Sequence, residues 1–152
     1  MISVSDKPID ASALLNTFEQ TAKDAGAIVS FSGLVRPKAQ SGEVETLSLQ
    51  AYSPMTENGI EDAVAEAKAR WPISHVRVAH RTGDMHPGDT IVFVAAASAH
   101  RRAAFEAADF LMDYLKTKAV FWKRERTDQG DAWIEPRDQD YQDAARWQKA
   151  TD

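Results

Sequence analysis

The sequence of 152 residues contains no cysteine. This absence excludes disulfide scaffolds, thiolate zinc sites, a cysteine nucleophile and a persulfide carried by this chain. Long apolar runs are also missing, because no stretch approaches the roughly 20 residues that a membrane helix needs. The first residues lack the basic and then apolar pattern of a signal peptide. We therefore expect a cytoplasmic protein that does not use a membrane.

Glycine and proline are scarce, with seven and six residues, while 43% of the residues are apolar and 27% are charged. This composition excludes collagen-like, low-complexity and largely disordered chains. The length fits one ordinary domain, which buries enough surface to fold without a disulfide or a metal. We assign residues 1–152 to a single domain and residues 138–152 to a polar C-terminal tail.

Basic residues are in the minority, since 18 Lys and Arg against 23 Asp and Glu give a net charge of −5. Such a balance argues against general affinity for nucleic acid or anionic membranes. One segment departs from it, because residues 100–126 contain seven basic and four acidic side chains. A basic segment in an acidic protein suits an anionic small molecule better than a nucleic-acid backbone.

The spacing of apolar residues predicts helices and strands without a regular βαβ rhythm. Three helices are predicted. The first runs from an N-cap at Asp10 to a stop near Gly26, the second begins at Ser53-Pro54 and ends at Pro72, and the third covers 99–118 after an N-cap at Ser98. Strands are predicted over residues 27–33, 44–52, 75–80 and 90–97, followed by a hairpin of 120–126 with 132–135. Because short turns join several of these strands, we expect an α+β fold with antiparallel pairing.

Two basic groups lie at opposite ends of the predicted long helix. His100 and Arg101 fall in its first turn, where the helix dipole disfavours a cation unless an anion binds there. The alternative is a surface arginine and a hydrogen-bonded histidine that tolerate the position. Lys116 and Lys118 fall in the last turn, where positive charge is favourable, and this alone explains Lys118.

The predicted strand after this helix places Lys123 and Glu125 on one face and Trp122 and Arg124 on the other. Lys123 is either half of an ordinary salt bridge or, in a basic pocket, a lysine with a lowered pKa that acts as acid, base or nucleophile. Similarly, Arg36 is either a bidentate phosphate clamp or a surface residue.

The two basic groups cannot serve one small substrate within a single chain. His100 and Lys116 are sixteen residues apart, which on a continuous helix is about 24 Å. Either the helix breaks, or the groups serve separate sites, or two copies combine them. We favour the third, a symmetric dimer with composite sites. The histidines at 75, 80 and 86 show no metal-ligand spacing. Strand pairing and turns explain these residues.

Several segments resemble the large, catalytic subunit of the molybdopterin synthase family. The most specific are Ser98-Ala99-His100-Arg101, the run from Met112 to Lys118, and Phe121-Trp122-Lys123-Arg124-Glu125. Further similar segments are Phe31 to Arg36, Tyr52 to Thr56, Arg70-Trp71-Pro72 and His80-Arg81-Thr82-Gly83. These segments occur in the same order as in the family, and together they span about residues 26–147.

The resemblance implies a sulfurtransferase that converts cyclic pyranopterin monophosphate (precursor Z) into molybdopterin. It implies sulfur delivery as a C-terminal thiocarboxylate on a small ubiquitin-like partner subunit, which agrees with the absence of cysteine. It also implies a homodimer within a heterotetramer, an α/β-hammerhead-like fold with additional antiparallel strands, and neither a metal nor a cofactor.

Carried over by position, the resemblance implies a catalytic pair, Lys116 and Lys123. The implied substrate-binding residues are Leu34, Val35, Arg36, His100, Arg101, Lys116, Lys123, Arg124, Glu125 and Arg137. Leu34 departs from the family pattern, because members can carry a lysine there. Two functions of other classes remain open: a non-catalytic dimeric module that binds a phosphorylated metabolite or a protein C-terminal tail, and a metal-free phosphoester hydrolase.

Overall fold

The computed structural model describes residues 1–151, so that Asp152, the last residue of the expected tail, lies outside the described residues. A four-stranded sheet forms the centre of the molecule. In spatial order its strands are β1 (Ile2–Ser5), β5 (Ile73–Arg81), β7 (Thr90–Ser98) and β2 (Ala27–Leu34). β1 runs parallel to β5, and the other neighbours are antiparallel.

Helices cover both faces of this sheet. One face packs against α1 (Ala11–Thr21), and the other packs against α2 (Met55–Arg70) and α3 (Arg101–Thr117). The inner strand β7 points Val92, Val94 and Ala96 to the α2–α3 side and its intervening residues to the α1 side. Burial on both faces explains why its sequence is continuously apolar rather than alternating.

A second, antiparallel sheet adjoins the first. Its strands are β3 (Lys38–Ala39), β4 (Gly42–Ala51), β8 (Phe121–Thr127) and β9 (Gly130–Trp133), with β6 (Gly83–Met85) also paired to β4. Phe121 packs against the core between the first sheet and α2–α3 and also against the core of the second sheet, which includes Leu47 and Leu49, and so links the two sheets. The expected α+β fold with additional antiparallel strands is confirmed, as is the hairpin now seen as β8 and β9.

The C-terminal segment is helical and packs on α3. It comprises α4 (Asp138–Ala145) and a 3₁₀ helix, Arg146–Thr151. Arg146 lies 2.7 Å from Asp109 and 2.8 Å from Asp113, and the Trp147 indole donates to Asp113 at 2.6 Å. The polar composition of this segment therefore reflects attachment to the acidic side of α3 as well as solvent exposure.

Three local predictions are wrong in detail. The first helix ends at Thr21, and Gly26 instead provides space for the Ala99 carbonyl, which a Cβ at this position would strike. Ser98 does not cap α3, because its hydroxyl donates to the Pro72 carbonyl at 3.0 Å and His100 occupies the cap position. Pro54, rather than Ser53, occupies the N-cap position of α2, without a side-chain capping hydrogen bond.

Three short strands, β1, β3 and β6, are not predicted by the sequence, because two to four residues carry too little periodic signal. None of the helices in the described part of the chain has the length and apolar character required to cross a membrane.

Candidate functional site

The connection between α3 and β8 brings Lys116 and Lys123 to the same place. Thr56, which is fully buried, donates its hydroxyl to the Val120 carbonyl at 2.6 Å and accepts the Tyr52 N–H at 2.9 Å. This contact anchors the connection to the start of α2. As a result, both lysines line the same two cavities.

The first cavity, which we call the arginine cavity, has a volume of about 450 Å³ and lies between β2, the end of α3 and β8. Its polar wall contains cations from four different segments together with one imidazole. They are Arg36, Lys116, Lys123, Arg137 and His80, and the remaining wall, which includes Leu34, is largely apolar. This lining suits a ligand with an anionic group and a flat or apolar body.

The second cavity, which we call the tryptophan cavity, has a volume of about 490 Å³ and shares the lysine pair with the arginine cavity. Trp122 and Trp133 form its aromatic wall, with ring centroids 5.3 Å apart and planes at 85°. These rings are 52% and 62% exposed. Exposed tryptophans beside a cavity are typical of a binding surface rather than of a monomer core.

The electrostatic state of Lys123 is set by its surroundings. Burial and the neighbouring Lys116 ammonium lower the pKa of Lys123 to about 8, against an opposing effect of Asp140. A lysine with such a pKa exchanges a proton near neutral pH, which an exposed lysine does not. The expectation of a lysine with a lowered pKa thus has a physical basis in the fold.

Arg36 is held in place by the turn before β7. The N–H of Val35 donates to the Asp89 carbonyl, and the Val35 carbonyl accepts from the Gly88 N–H, both at 2.9 Å. The Arg81 guanidinium lies 3.5 Å from the Asp89 carboxylate, and this ion pair holds the turn in place. The N–H of Val35 donates and its carbonyl accepts one hydrogen bond each within the turn, and through these contacts Val35 positions Arg36.

Arg137 reaches the arginine cavity from the start of α4. Its guanidinium lies 3.1 Å from the Asp140 carboxylate, and its backbone N–H donates to the same carboxylate at 2.9 Å. The contact secures the helix start.

His80 was missed as a candidate, although it lies in a segment that carries the family resemblance. It is 5% exposed and stacks on Phe121, with ring centroids 4.1 Å apart. Burial lowers the pKa of the His80 imidazole to about 4, and the Lys123 and Lys116 charges add to this effect against a raising hydrogen bond with the Arg81 carbonyl. Only the tertiary structure reveals this environment, because the residues concerned are distant in sequence.

The remaining candidates lie elsewhere in the single chain. His100 and Arg101 are exposed at the far end of α3, which is continuous over Arg101–Thr117. Arg124 is exposed on the face of β8 opposite Lys123. Glu125 accepts a hydrogen bond from the Ser41 hydroxyl at 3.0 Å and, like Arg124, lines neither lysine cavity. Within one chain the structure thus gathers Leu34, Arg36, Lys116, Lys123 and Arg137.

No group of three or more metal-ligating side chains converges within the part of the chain that the structure describes.

Comparison with known proteins gives a consistent result. Residues 4–118 match the MoaE protein family. The molybdopterin synthase catalytic subunit of Salmonella typhimurium is 52% identical over 122 residues, which cover 80% of this chain and 81% of that protein. The same name belongs to a relative from Mesorhizobium japonicum, 45% identical over 99% of this chain and 95% of its own length.

A solved structure gives the same picture. The molybdopterin biosynthesis MoaE protein from Burkholderia ambifaria superposes with a TM-score of 0.82 at 38% identity, covering 97% of both chains. The resemblance noted in the sequence is thereby confirmed, together with the expected enzyme class of the molybdopterin synthase catalytic subunit. The chain belongs to the MoaE family.

Proposed function

We propose that this chain transfers sulfur to cyclic pyranopterin monophosphate, with Lys116 and Lys123 at the point where the substrate meets the sulfur donor. The observation that carries this proposal is that the lysine pair lines both the arginine cavity and the tryptophan cavity. Two openings at one cationic centre suit a reaction between two ligands that arrive separately. The relatives named as molybdopterin synthase catalytic subunits support the same reaction.

The arginine cavity is the proposed substrate site. Arg36 and Arg137 present guanidinium groups, which bind a phosphate through paired hydrogen bonds, and the apolar wall suits the fused pterin ring. Leu34 contributes apolar surface at the cavity and is 52% exposed.

The tryptophan cavity is the proposed entrance for the C-terminal tail of the sulfur-carrier subunit. Its aromatic walls can hold an extended backbone, and Lys116 and Lys123, which also line it, attract a terminal thiocarboxylate. The name "catalytic subunit" of the relatives implies a second subunit. A fold relative from Helicobacter pylori, with a TM-score of 0.75 and 22% identity over 90% of this chain and 91% of that one, is a complex of subunits 1 and 2 of molybdopterin-converting factor.

The proposed chemistry is a redox-neutral exchange of oxygen for sulfur. The thiocarboxylate sulfur forms a bond to a side-chain carbon of the substrate, and the carbon–oxygen bond at that carbon breaks as the cyclic phosphate opens. Water then cleaves the acyl–sulfur bond, which leaves the sulfur on the substrate and a carboxylate on the partner. A second partner molecule supplies the second sulfur, which bonds to another side-chain carbon while the carbon–oxygen bond at that carbon breaks and the oxygen leaves as water, and a second water then cleaves the acyl–sulfur bond. The lysines stabilise the negative charge that develops on the oxygens, and Lys123 is suited to move a proton.

A dimer completes the proposed site. β2 is an edge strand of the first sheet, and Phe31 on it and Phe105 on α3 are 43% and 59% exposed beside a groove of about 660 Å³. A two-fold axis at this groove and perpendicular to α3 would set two α3 helices antiparallel. His100 and Arg101 of one copy would then lie near Lys116 of the other, and one sulfur carrier on each side would give the heterotetramer.

The proposed reaction takes place in the cytoplasm. The test mixes the purified protein with precursor Z and a thiocarboxylated partner and measures dithiolene product. Product formation supports the proposal. Binding without conversion would replace it with the non-catalytic module, and phosphate release without the partner would replace it with the hydrolase.

A further inference from the structure

His80 is a buried imidazole that the proposed sulfur-transfer steps do not use. Its Nδ1 lies 3.1 Å from the Arg81 carbonyl oxygen. A carbonyl oxygen can only accept, so Nδ1 must carry the proton of this hydrogen bond. In the neutral ring the other nitrogen, Nε2, is then an acceptor with a free lone pair.

The lone pair of Nε2 is open to the arginine cavity. Nε2 makes no hydrogen bond with the described residues, yet it is not among the fully enclosed polar atoms without a partner. Since His80 is almost completely buried and lines the arginine cavity, the accessible part of the ring faces that space. The stack on Phe121, with planes at 24°, fixes the direction of the lone pair.

The surroundings of the ring keep it neutral. The charged groups that line the cavity with it are all cations, namely Arg36, Lys116, Lys123 and Arg137, and Lys123 and Lys116 lower the pKa of the ring. Burial disfavours the imidazolium further, and the pKa of about 4 leaves the ring uncharged at neutral pH. His80 is thus an acceptor that does not neutralise its cationic neighbours, as an aspartate at this place would.

The wall of the cavity otherwise favours donors. Protonated arginine and lysine side chains donate hydrogen bonds and accept none, so in this state they can hold a phosphate but cannot pair with the N–H groups of a ring. Of the polar side chains around the cavity, only His80 and the Ser32 hydroxyl can accept. Because an N–H buried without an acceptor is costly, a ligand with ring N–H groups needs such a partner.

We propose that His80 is the residue that recognises the heterocycle of the substrate, accepting a ring N–H through Nε2 while the arginines and lysines hold the phosphate. This assignment rests on the proposed function and specifies the ligand class as a phosphorylated heterocycle with N–H donors. His80 therefore contributes to ring selectivity, whereas the cations contribute affinity for any phosphate.

Two substitutions of His80 distinguish the donor role of Nδ1 from the acceptor role of Nε2. The amide nitrogen of asparagine takes the place of Nδ1, so His80→Asn retains a donor for the Arg81 carbonyl but loses the acceptor in the cavity. Glutamine reaches the place of Nε2, so His80→Gln retains an acceptor in the cavity. Calorimetry with precursor Z, without the sulfur donor, measures the result independently of turnover.

We expect His80→Asn to raise the Kd for precursor Z about tenfold, the value of one lost hydrogen bond, and His80→Gln to stay within about threefold of the unsubstituted protein. The Kd for inorganic phosphate is expected to be unchanged in both, and thermal unfolding checks that both fold. Equal losses in the two variants, or unchanged binding of precursor Z to His80→Asn, would overturn the assignment. Absence of dithiolene product from the unsubstituted protein would instead overturn the proposed function, because this calorimetric contrast does not depend on catalysis.

Discussion

The two ends of α3 both carry cations, but in opposite settings. At the N-terminal end the helix dipole opposes Arg101, the first turn contains no acidic residue, and His100 makes no side-chain capping bond. At the C-terminal end the dipole favours Lys116, but Lys123 lies close enough to be destabilised by it. Each end thus accepts an electrostatic cost that a purely structural helix would avoid, which is typical of an anion-binding function.

The two ends differ in enclosure, and this difference shows what each can do alone. Lys116 is itself exposed, but it lines two cavities together with Lys123, which is partly buried, whereas His100 and Arg101 are exposed and line neither of these cavities. An exposed cation is screened by water and salt, while an enclosed one acts strongly on a ligand. Through Lys123, the C-terminal end is therefore a candidate site within one chain, and the N-terminal end is proposed to contribute only beside a second copy.

The largest expected effect comes from removing either lysine at the enclosed end. Lys116→Ala or Lys123→Ala should lower kcat at least about 100-fold, because each removes a charge that stabilises developing negative charge. Lys118→Ala is the matched control, since Lys118 caps the same helix end but lines neither lysine cavity. The measurement is dithiolene formation with the thiocarboxylated partner, and near-normal turnover in both lysine variants would remove the site assignment.

A mixture of inactive variants tests whether the exposed end completes the site of another copy. The double variant His100→Ala/Arg101→Ala retains both lysines, and the double variant Lys116→Ala/Lys123→Ala retains the His-Arg pair. Co-expression should restore about a quarter of the activity per site, because half of the dimers are mixed and each mixed dimer has one intact composite site. Failure to recover activity, with mixed dimers present by mass spectrometry, would contradict composite sites.

Stability as a function of pH tests the electrostatic cost at Lys123. The pKa of Lys123 is about 8 in the folded protein against its ordinary value of 10.5, so the unfolded chain binds more protons between these values and the free energy of unfolding rises with pH there. Below pH 8 the penalty is fully present. Lys123→Met should therefore be more stable at pH 7 by on the order of 3 kcal/mol, and this advantage should shrink by pH 10.

Urea unfolding at the two pH values provides the measurement. Lys118→Met is the control, because an exposed lysine at the end of α3 should show no such pH-dependent difference. A constant difference between Lys123→Met and the unsubstituted protein from pH 7 to pH 10 would show that Lys123 carries no such penalty.

The smallest expected effect concerns Leu34 at the enclosed end. Leu34→Lys adds a cation to the arginine cavity at a side chain that is 52% exposed. We expect the KM for precursor Z to fall about two- to threefold at low salt, as exposed charges contribute little, and the difference to vanish at high salt. Leu34→Gln, which adds polarity without charge, should leave KM unchanged. An equal decrease in both variants would exclude a charge effect.

Much of the local structure could be predicted, because it is encoded by neighbouring residues. Asp10 caps α1 through the N–H of Ala13 at 3.0 Å, and Lys123 and Trp122 lie on opposite faces of β8. Gly26 and Ser98 were misinterpreted for one reason: each is selected by a distant backbone carbonyl, of Ala99 and Pro72 respectively. Local sequence signals cannot distinguish such a contact from a capping role.

The sequence by itself determined the elements and the distribution of charge, since helical and strand periods and the basic residues of 100–126 are properties of adjacent positions. The tertiary structure decided that Arg36, His80, Lys116 and Lys123 share one cavity. It also decided that His80 is neutral and Lys123 partly so, because a pKa responds to burial and to charges brought near in space. The packing of Phe121 between the two sheets joins these distant segments, and through them the chemistry of the site.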